Sequence, residues 1–392
     1  MAQGPDMTSV VADASALRLH GLKLSYFTGK LEAYLRVKGI PYTFVEMDTR
    51  DFRRCARKSG VLQMPQIETA DGRWLTDTTV IMDHFEQVQP SPSIRPSSPA
   101  IAFASLLLED LFDEWLWRPA LYYRWAFEDD SRLMSAQLAR TMMRDVPAPF
   151  WLRRRLILAR QRNVYIRDDG VTPETSRQIE ALYLDTLDAL EPIFRARSFL
   201  LGARPCEADF GLFGSMFRHF FSDPTPAAIM RERAPAVAHW VSRLWATRPD
   251  DFRDAALISA LPDDLEPFWK MASQQYLPYL AANAAAVAAH GDMVSYEVDG
   301  LAWRVPTSPY RAQCLVALQQ RFAELTPRDQ SSLQHLLDKG AGILSGPLQA
   351  GVSPRHGSSR TPVDRHWNPR FGFHGGIWRH SLRRKHQGAS TP

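Results

Sequence analysis

The chain has 392 residues, of which 45% are hydrophobic and 23% charged. That length implies two or three domains with ample material for a core. The net charge is +4, but residues 353–392 hold seven arginines and one lysine against Asp364, which leaves a mildly acidic −3 for the rest and no nucleic-acid signature in the folded part.

Residues 1–16 lack the basic start and apolar run of a secretory signal and read as a flexible leader. Residues 17–20 are a short strand, followed by a turn at Gly21. Residues 29–38 are helical, since Phe27, Leu31, Tyr34 and Leu35 share a face and Gly39 supplies a stop. Residues 42–46 alternate as a strand, and 50–58 form a basic, exposed helix. Strands at 66–69 and 73–75 join through Ala70-Asp71-Gly72, a hairpin signal. A helix starting at Thr76 or Asp77 then reaches about Val88. The order β-α-β-α-β-β-α over residues 17–89 predicts an α/β thioredoxin-like domain.

Residues 90–99, rich in proline and serine, are a linker. Residues 100–250 are all-helical, with the clearest helices at 101–117, 175–194, 207–221 and 236–245. A further, mostly helical region spans 251–345, with helices at 267–289 and 311–325 around a hairpin at 294–305 centred on Asp299-Gly300. Residues 346–392 turn to Gly, Ser, Pro, His and Arg and read as a disordered basic tail. Its five histidines, His356, His366, His374, His380 and His386, lack the spacing of a metal site.

Three places carry candidate chemistry. Ser25-Tyr26-Phe27-Thr28 lies at the start of the first helix, where backbone N–H groups and the helix dipole favour an anion. A hydroxyl there can hydrogen-bond a sulfur anion and lower its pKa; equally, Ser25 and Thr28 can simply cap the helix. Gln63-Met64-Pro65 precedes the hairpin, and a cis bond before Pro65 would turn the Met64 backbone towards an extended peptide. Asp77-Thr78 begins the next helix, where a carboxylate takes an ammonium group while the hydroxyl and free N–H groups take a carboxylate.

In this order and spacing these elements resemble the glutathione site of the soluble glutathione S-transferases. The likeness extends to the helix exit Lys38-Gly39-Ile40-Pro41-Tyr42 and to Gly202 through Ala208-Asp209, similar to the family's Gly-x-x-x-(Ser/Thr)-x-Ala-Asp element. It covers about residues 17–250. The resemblance implies an all-helical transferase C-terminal domain after the first. It implies a hydroxyl-stabilised glutathione thiolate, from Ser25 or Tyr26 with Thr28 in the same loop. Phe27, Gln63, Met64, Pro65, Asp77 and Thr78 become the glutathione-binding residues, with Met64 on the cysteinyl backbone and Asp77-Thr78 on the γ-glutamyl end. Glutathione is then the co-substrate, an apolar electrophile the second substrate, and the function detoxifying conjugation. No metal, nucleic acid or membrane partner is implied. A homodimer is implied too, although the region after 250 can block the usual interface. Phe112, Trp115, Trp117, Tyr122, Tyr123 and Trp125 are either an electrophile wall or plain helical core. Two departures stand out: Asp77 where the family usually has Glu, and Cys206 where it has a Ser/Thr cap.

A non-catalytic binding or scaffold protein on the same fold is the alternative, as is another glutathione-dependent enzyme such as a dehalogenase or isomerase. The absence of cysteine at position 25 argues against a thiol-disulfide reductase. Cys55, Cys206 and Cys314 are odd in number and widely spaced, which fits a reducing, cytoplasmic setting. No run of eighteen apolar residues suggests a membrane span.

Overall fold

The computed structural model describes residues 17–256 and 258–347. The expected leader, and the tail beyond residue 347 with its histidines, lie outside the described residues.

The first layer runs β1 (Arg18–Gly21), α1 (Tyr26–Val37), β2 (Thr43–Glu46), α2 (Thr49–Ser59), β3 (Gln66–Glu68), β4 (Trp74–Thr76) and α3 (Thr78–Val88). The sheet order is β2-β1-β3-β4, with β1 parallel to β2 and β3 antiparallel to both of its neighbours. This is the thioredoxin-like arrangement expected. Successive strand residues point to opposite faces. Leu75 therefore joins the main core with Leu31 of α1 and Ile81 of α3, while Trp74 joins Phe52 and Cys55 of α2 in a separate small cluster. The helix α1 starts three residues before the position the sequence suggests. Gly29 sits inside it because a Cβ there would lie 2.4 Å from Cγ of Arg218; the glycine serves a close approach, not a turn.

The second layer is helical: α4 (Pro99–Trp115), α5 (Trp117–Ala126), α6 (Glu128–Arg140), α7 (Phe150–Arg160), α8 (Pro173–Ala196), α9 (Glu207–Ser215), α10 (Pro224–Arg233), α11 (Pro235–Ala246) and the short α12 (Pro249–Phe252). The helix expected over 101–117 stops at Trp115, because the Pro119 ring conflicts with the carbonyl four residues back. The chain then re-enters a helix, α5, with Pro119 in its first turn, where a missing N–H costs nothing. The helix expected over 207–221 likewise passes at Met216–Phe220 into a wider π-helical turn. Every residue of α9 is buried, and it packs on both α4 and α1. Its Gly211 meets the backbone of α4, where a Cβ would lie 2.6 Å from the Glu109 carbonyl oxygen.

The region after residue 250 contains α13 (Glu266–Met271), a π-helical turn (Ala272–Tyr276), α14 (Leu277–Ala288), β5 (Met293–Val298), β6 (Leu301–Pro306), α15 (Pro309–Ala323), α16 (Pro327–Leu337) and α17 (Lys339–Leu344). The helix expected over 267–289 is thus two helices around a π turn. The hairpin turns at Asp299 (φ 47°) and Gly300 (φ 79°), both left-handed as a two-residue type I′ turn requires. This region packs against α4. Phe268 meets Phe112 edge-on at 5.2 Å and Phe322 meets Phe103 at 5.3 Å. The Tyr276 hydroxyl donates to Asp110 at 2.5 Å. The helix α4 is therefore enclosed between α9 and the appended region, and one continuous apolar core runs through all three layers.

Candidate functional site

The site is assembled where β1 hands over to α1, where β3 begins, and where β4 hands over to α3. Ser25 is the N-cap of α1, and its Oγ accepts from the Thr28 N–H at 3.4 Å. A serine hydroxyl accepting in this way keeps its own proton to donate. Thr28 is fully buried, and its Oγ1 accepts from the Leu22 N–H at 3.4 Å. Tyr26 is buried as well. Its hydroxyl donates to the Phe112 carbonyl at 2.6 Å, and burial pushes its pKa upward. The Tyr26 hydroxyl is therefore committed inside the core, whereas the Ser25 hydroxyl keeps its proton for a further hydrogen bond.

Phe27 packs against the Tyr26 ring at 4.9 Å and stacks on Trp117, with ring centroids 5.8 Å apart. The loop before β3 is pinned by Gln66, whose Nε2 donates to the carbonyls of Val61 and Gln63, both at 2.9 Å. The Met64–Pro65 bond is cis. Asp77 caps α3 with φ at 69°, a left-handed conformation that Asp tolerates better than most residues. Its Oδ1 accepts from the Thr79 N–H at 3.1 Å, and its Oδ2 accepts from the Tyr310 hydroxyl at 3.2 Å.

These elements surround one cavity of about 230 Å³, close to the lower end of the size range usual for small-molecule pockets. Six of the residues singled out from the sequence line it: Phe27, Gln63, Met64, Pro65, Asp77 and Thr78. Ser25, Tyr26 and Thr28 are not among the lining residues. Of the six aromatic residues considered as an electrophile wall, Trp117 lines the cavity, while Phe112, Trp115, Tyr123 and Trp125 are buried in the helical core and Tyr122 is held by Glu180 at 2.6 Å.

Three lining residues escaped the sequence reading: Glu114 at the end of α4, and Tyr310 and Arg311 in the first turn of α15. The Arg311 Nε donates to Glu114 Oε2 at 2.8 Å, and its Nη1 donates to the Tyr279 hydroxyl at 3.0 Å. Burial alone would lower the Arg311 pKa, but Tyr279, Glu114 and Asp169 override it and keep the guanidinium charged. Burial pushes the Asp169 carboxyl up to about 6, against the pull of Arg311 and Arg118 and a hydrogen bond to Trp117. Arg118 is enclosed by the rings of Trp115, Tyr279, Tyr296 and Trp303, at 4.5 to 5.7 Å from their centroids. Such cation–π contacts lock the end of α4 and the start of α5 onto the appended hairpin.

Residues 19–93 match the family model described as glutathione S-transferase, N-terminal domain. The chain carries a glutathione S-transferase N-terminal domain. A glutathione S-transferase from Pseudomonas putida is 30% identical over 83 residues, which are 21% of this chain and 37% of that protein. The chain therefore spans little more than a third of that relative's length. Among solved structures, the beta-etherase LigF from Sphingobium sp. strain SYK-6 is 21% identical with a TM-score of 0.42, covering 61% of this chain and 100% of that one. A glutathione S-transferase from Methylobacterium radiotolerans, in complex with glutathione sulfonate, is 20% identical with a TM-score of 0.38 over 63% of this chain and 97% of that one. The described cavity lies at the edge of the transferase-type domain, with Phe27, Met64 and Asp77 on its side and Glu114 and Arg311 on the helical side. Among the described residues, no helix is long and apolar enough to cross a membrane and no group of three or more His, Cys, Asp or Glu side chains gathers as metal ligands do.

Proposed function

We propose that the chain binds reduced glutathione in this cavity and transfers it to an apolar electrophile. One observation carries the reading: Met64 before β3 and Asp77-Thr78 at the start of α3, separate in sequence, line a single cavity together with Gln63 and Phe27. The cysteinyl backbone lies along Met64, and the γ-glutamyl ammonium pairs with Asp77. The thiol proton leaves to solvent, and the Ser25 hydroxyl donates a hydrogen bond to the sulfur anion. A free thiol titrates near about 8.5, and one charge-assisted hydrogen bond of about 1.5–3 kcal/mol lowers that by roughly one to two units. The thiolate then attacks an electrophilic carbon: a C–S bond forms and the leaving group departs with its electron pair. Phe27 and Trp117 offer the second substrate a flat apolar wall. Ser25 is a donor here and not the nucleophile.

Replacing Ser25 by Ala should lower kcat for conjugation of a reactive aryl halide roughly ten- to hundredfold, the loss of that one hydrogen bond. The dissociation constant for glutathione should stay within about threefold, since the cap it also loses is worth only about 1 kcal/mol of helix stability. Unchanged kcat in the variant would remove Ser25 from the chemistry. A second reading, glutathione binding without turnover, draws on the fact that Ser25 is not a lining residue of the cavity. Tight binding with no conjugation by the intact chain selects it.

A further inference from the structure

We infer that the appended region supplies half of the amino-acid clamp in this cavity: Arg311 receives the α-carboxylate of the γ-glutamyl residue while Asp77 holds its α-ammonium. The inference rests on the glutathione reading above and assigns a ligand role to a residue more than 200 positions beyond the transferase-type domain.

The γ-glutamyl end of glutathione is a zwitterion, with the two charges on one carbon. A cavity that recognises it needs an anion for the ammonium group and, in the same small volume, donors for the carboxylate, for which a guanidinium is the strongest side chain. Asp77 is the anion. Among the described lining residues Arg311 is the one cation. The start of α3 supplies fewer donors than a free helix end, because the Thr79 N–H is already taken by Asp77 itself. Arg311 is presented rigidly: its Nε is fixed by Glu114 and its Nη1 by Tyr279. Its Nη2 makes no hydrogen bond to a described residue, which leaves the N–H groups of that nitrogen for a carboxylate. The neighbouring residue ties the two halves together. Tyr310 donates to Asp77 Oδ2 at 3.2 Å, so the first turn of α15 is registered directly on the ammonium-binding carboxylate. Ser308 caps that turn through the Arg311 N–H at 3.3 Å, and Asn283 holds the Ser308 backbone from both sides at 2.8 Å.

The test pairs variants with ligand analogues, using the full chain and calorimetric titration. Two glutathione analogues serve: one with 4-aminobutyryl in place of γ-glutamyl, lacking only the carboxylate, and one with glutaryl, lacking only the ammonium. The intact protein should bind the 4-aminobutyryl analogue roughly ten- to hundredfold more weakly than glutathione, the loss of one charge-assisted hydrogen bond. In Arg311→Lys, which keeps the charge beside Glu114 but not the fork, glutathione affinity should fall by about tenfold or more while that for the 4-aminobutyryl analogue moves less than about threefold. The double variant Arg311→Met/Glu114→Gln removes the pair together, so no lone buried carboxylate remains. It should show the same pattern, with the glutaryl analogue weakened at least as much as glutathione. Equal losses for glutathione and the 4-aminobutyryl analogue in both variants, or unchanged glutathione affinity, overturn the clamp while leaving glutathione binding standing. No binding of glutathione by the intact chain overturns both.

Discussion

Replacing Lys30 by Met should cost about 3–5 kcal/mol of stability, the penalty for stranding buried charge, and lower the melting temperature by roughly 5 °C. Lys30 lies in α1 with its side chain fully buried, and its ammonium group donates to Glu109 and Asp113 of α4 and, at 3.5 Å, to the Thr79 hydroxyl of α3. Burial on its own would lower the lysine pKa, but the two carboxylates raise it above its ordinary value, so the cation persists inside the protein. The knot joins the three helices that carry Ser25, Asp77 and Glu114 at or beside their ends. Without Lys30 the chief charge opposing burial is gone, and burial already pushes the Asp113 carboxyl up. A carboxyl with a raised folded-state pKa binds more protons folded than unfolded, so stability falls as pH rises through that window. The deficit of the variant should therefore widen between pH 5 and pH 8. The triple change Lys30→Met/Glu109→Gln/Asp113→Asn should recover much of the loss, since a buried ion cluster replaced as a whole is close to neutral. Chemical denaturation across that pH range measures all three expectations. A single variant as stable as the parent at pH 8 would contradict them.

A loss of comparable size is expected at Asp209. This carboxylate, at the first turn of α9, accepts from the Leu200 N–H at 3.0 Å, the Cys206 N–H at 3.0 Å, the Cys206 thiol at 3.1 Å and the Trp240 indole at 3.2 Å. It closes the loop before α9 and fastens α11 to it. The thiol at the cap position donates to Asp209, and the Asp209 N–H goes to the Cys206 carbonyl at 3.0 Å. Asp209→Ala strands three buried N–H donors at about 1–3 kcal/mol each. Against a total stability of about 5–15 kcal/mol, the variant should be largely unfolded or melt far below the parent. Asp209→Asn keeps one acceptor oxygen but turns an amide towards the Cys206 N–H, so it should fall between the two. An alanine variant within 1 kcal/mol of the parent in urea titrations would show that these bonds are not what holds α9.

Much of the first domain was legible because its signals are local. Alternation marked β2, the helical period marked α1, and Ala70-Asp71-Gly72 announced the β3–β4 hairpin, as Asp299-Gly300 announced the one in the appended region. The boundaries failed where tertiary contact decides. Gly29 looked like a helix start but makes room for Arg218. Pro119 ends α4 and yet sits in the first turn of the next helix. Which way adjacent side chains face was equally hidden: Tyr26 and Phe27 are neighbours, yet one enters the core and the other lines the cavity. Glu114, Tyr310 and Arg311 carried no local signature at all. The Glu114–Arg311 pair and the Tyr310–Asp77 bond span 197 and 233 residues, and an ordinary helix start is all that Ser308-Pro309 discloses.

The most direct test of the account is calorimetric titration of reduced glutathione into the intact protein and into Asp77→Asn. Asparagine tolerates the left-handed backbone at this position and keeps an oxygen for the Thr79 cap, so the variant removes charge with little strain. Saturable one-to-one binding is expected for the parent, with a loss of about tenfold or more in the variant. Equal affinity in the two proteins, or no binding by the parent, would contradict it.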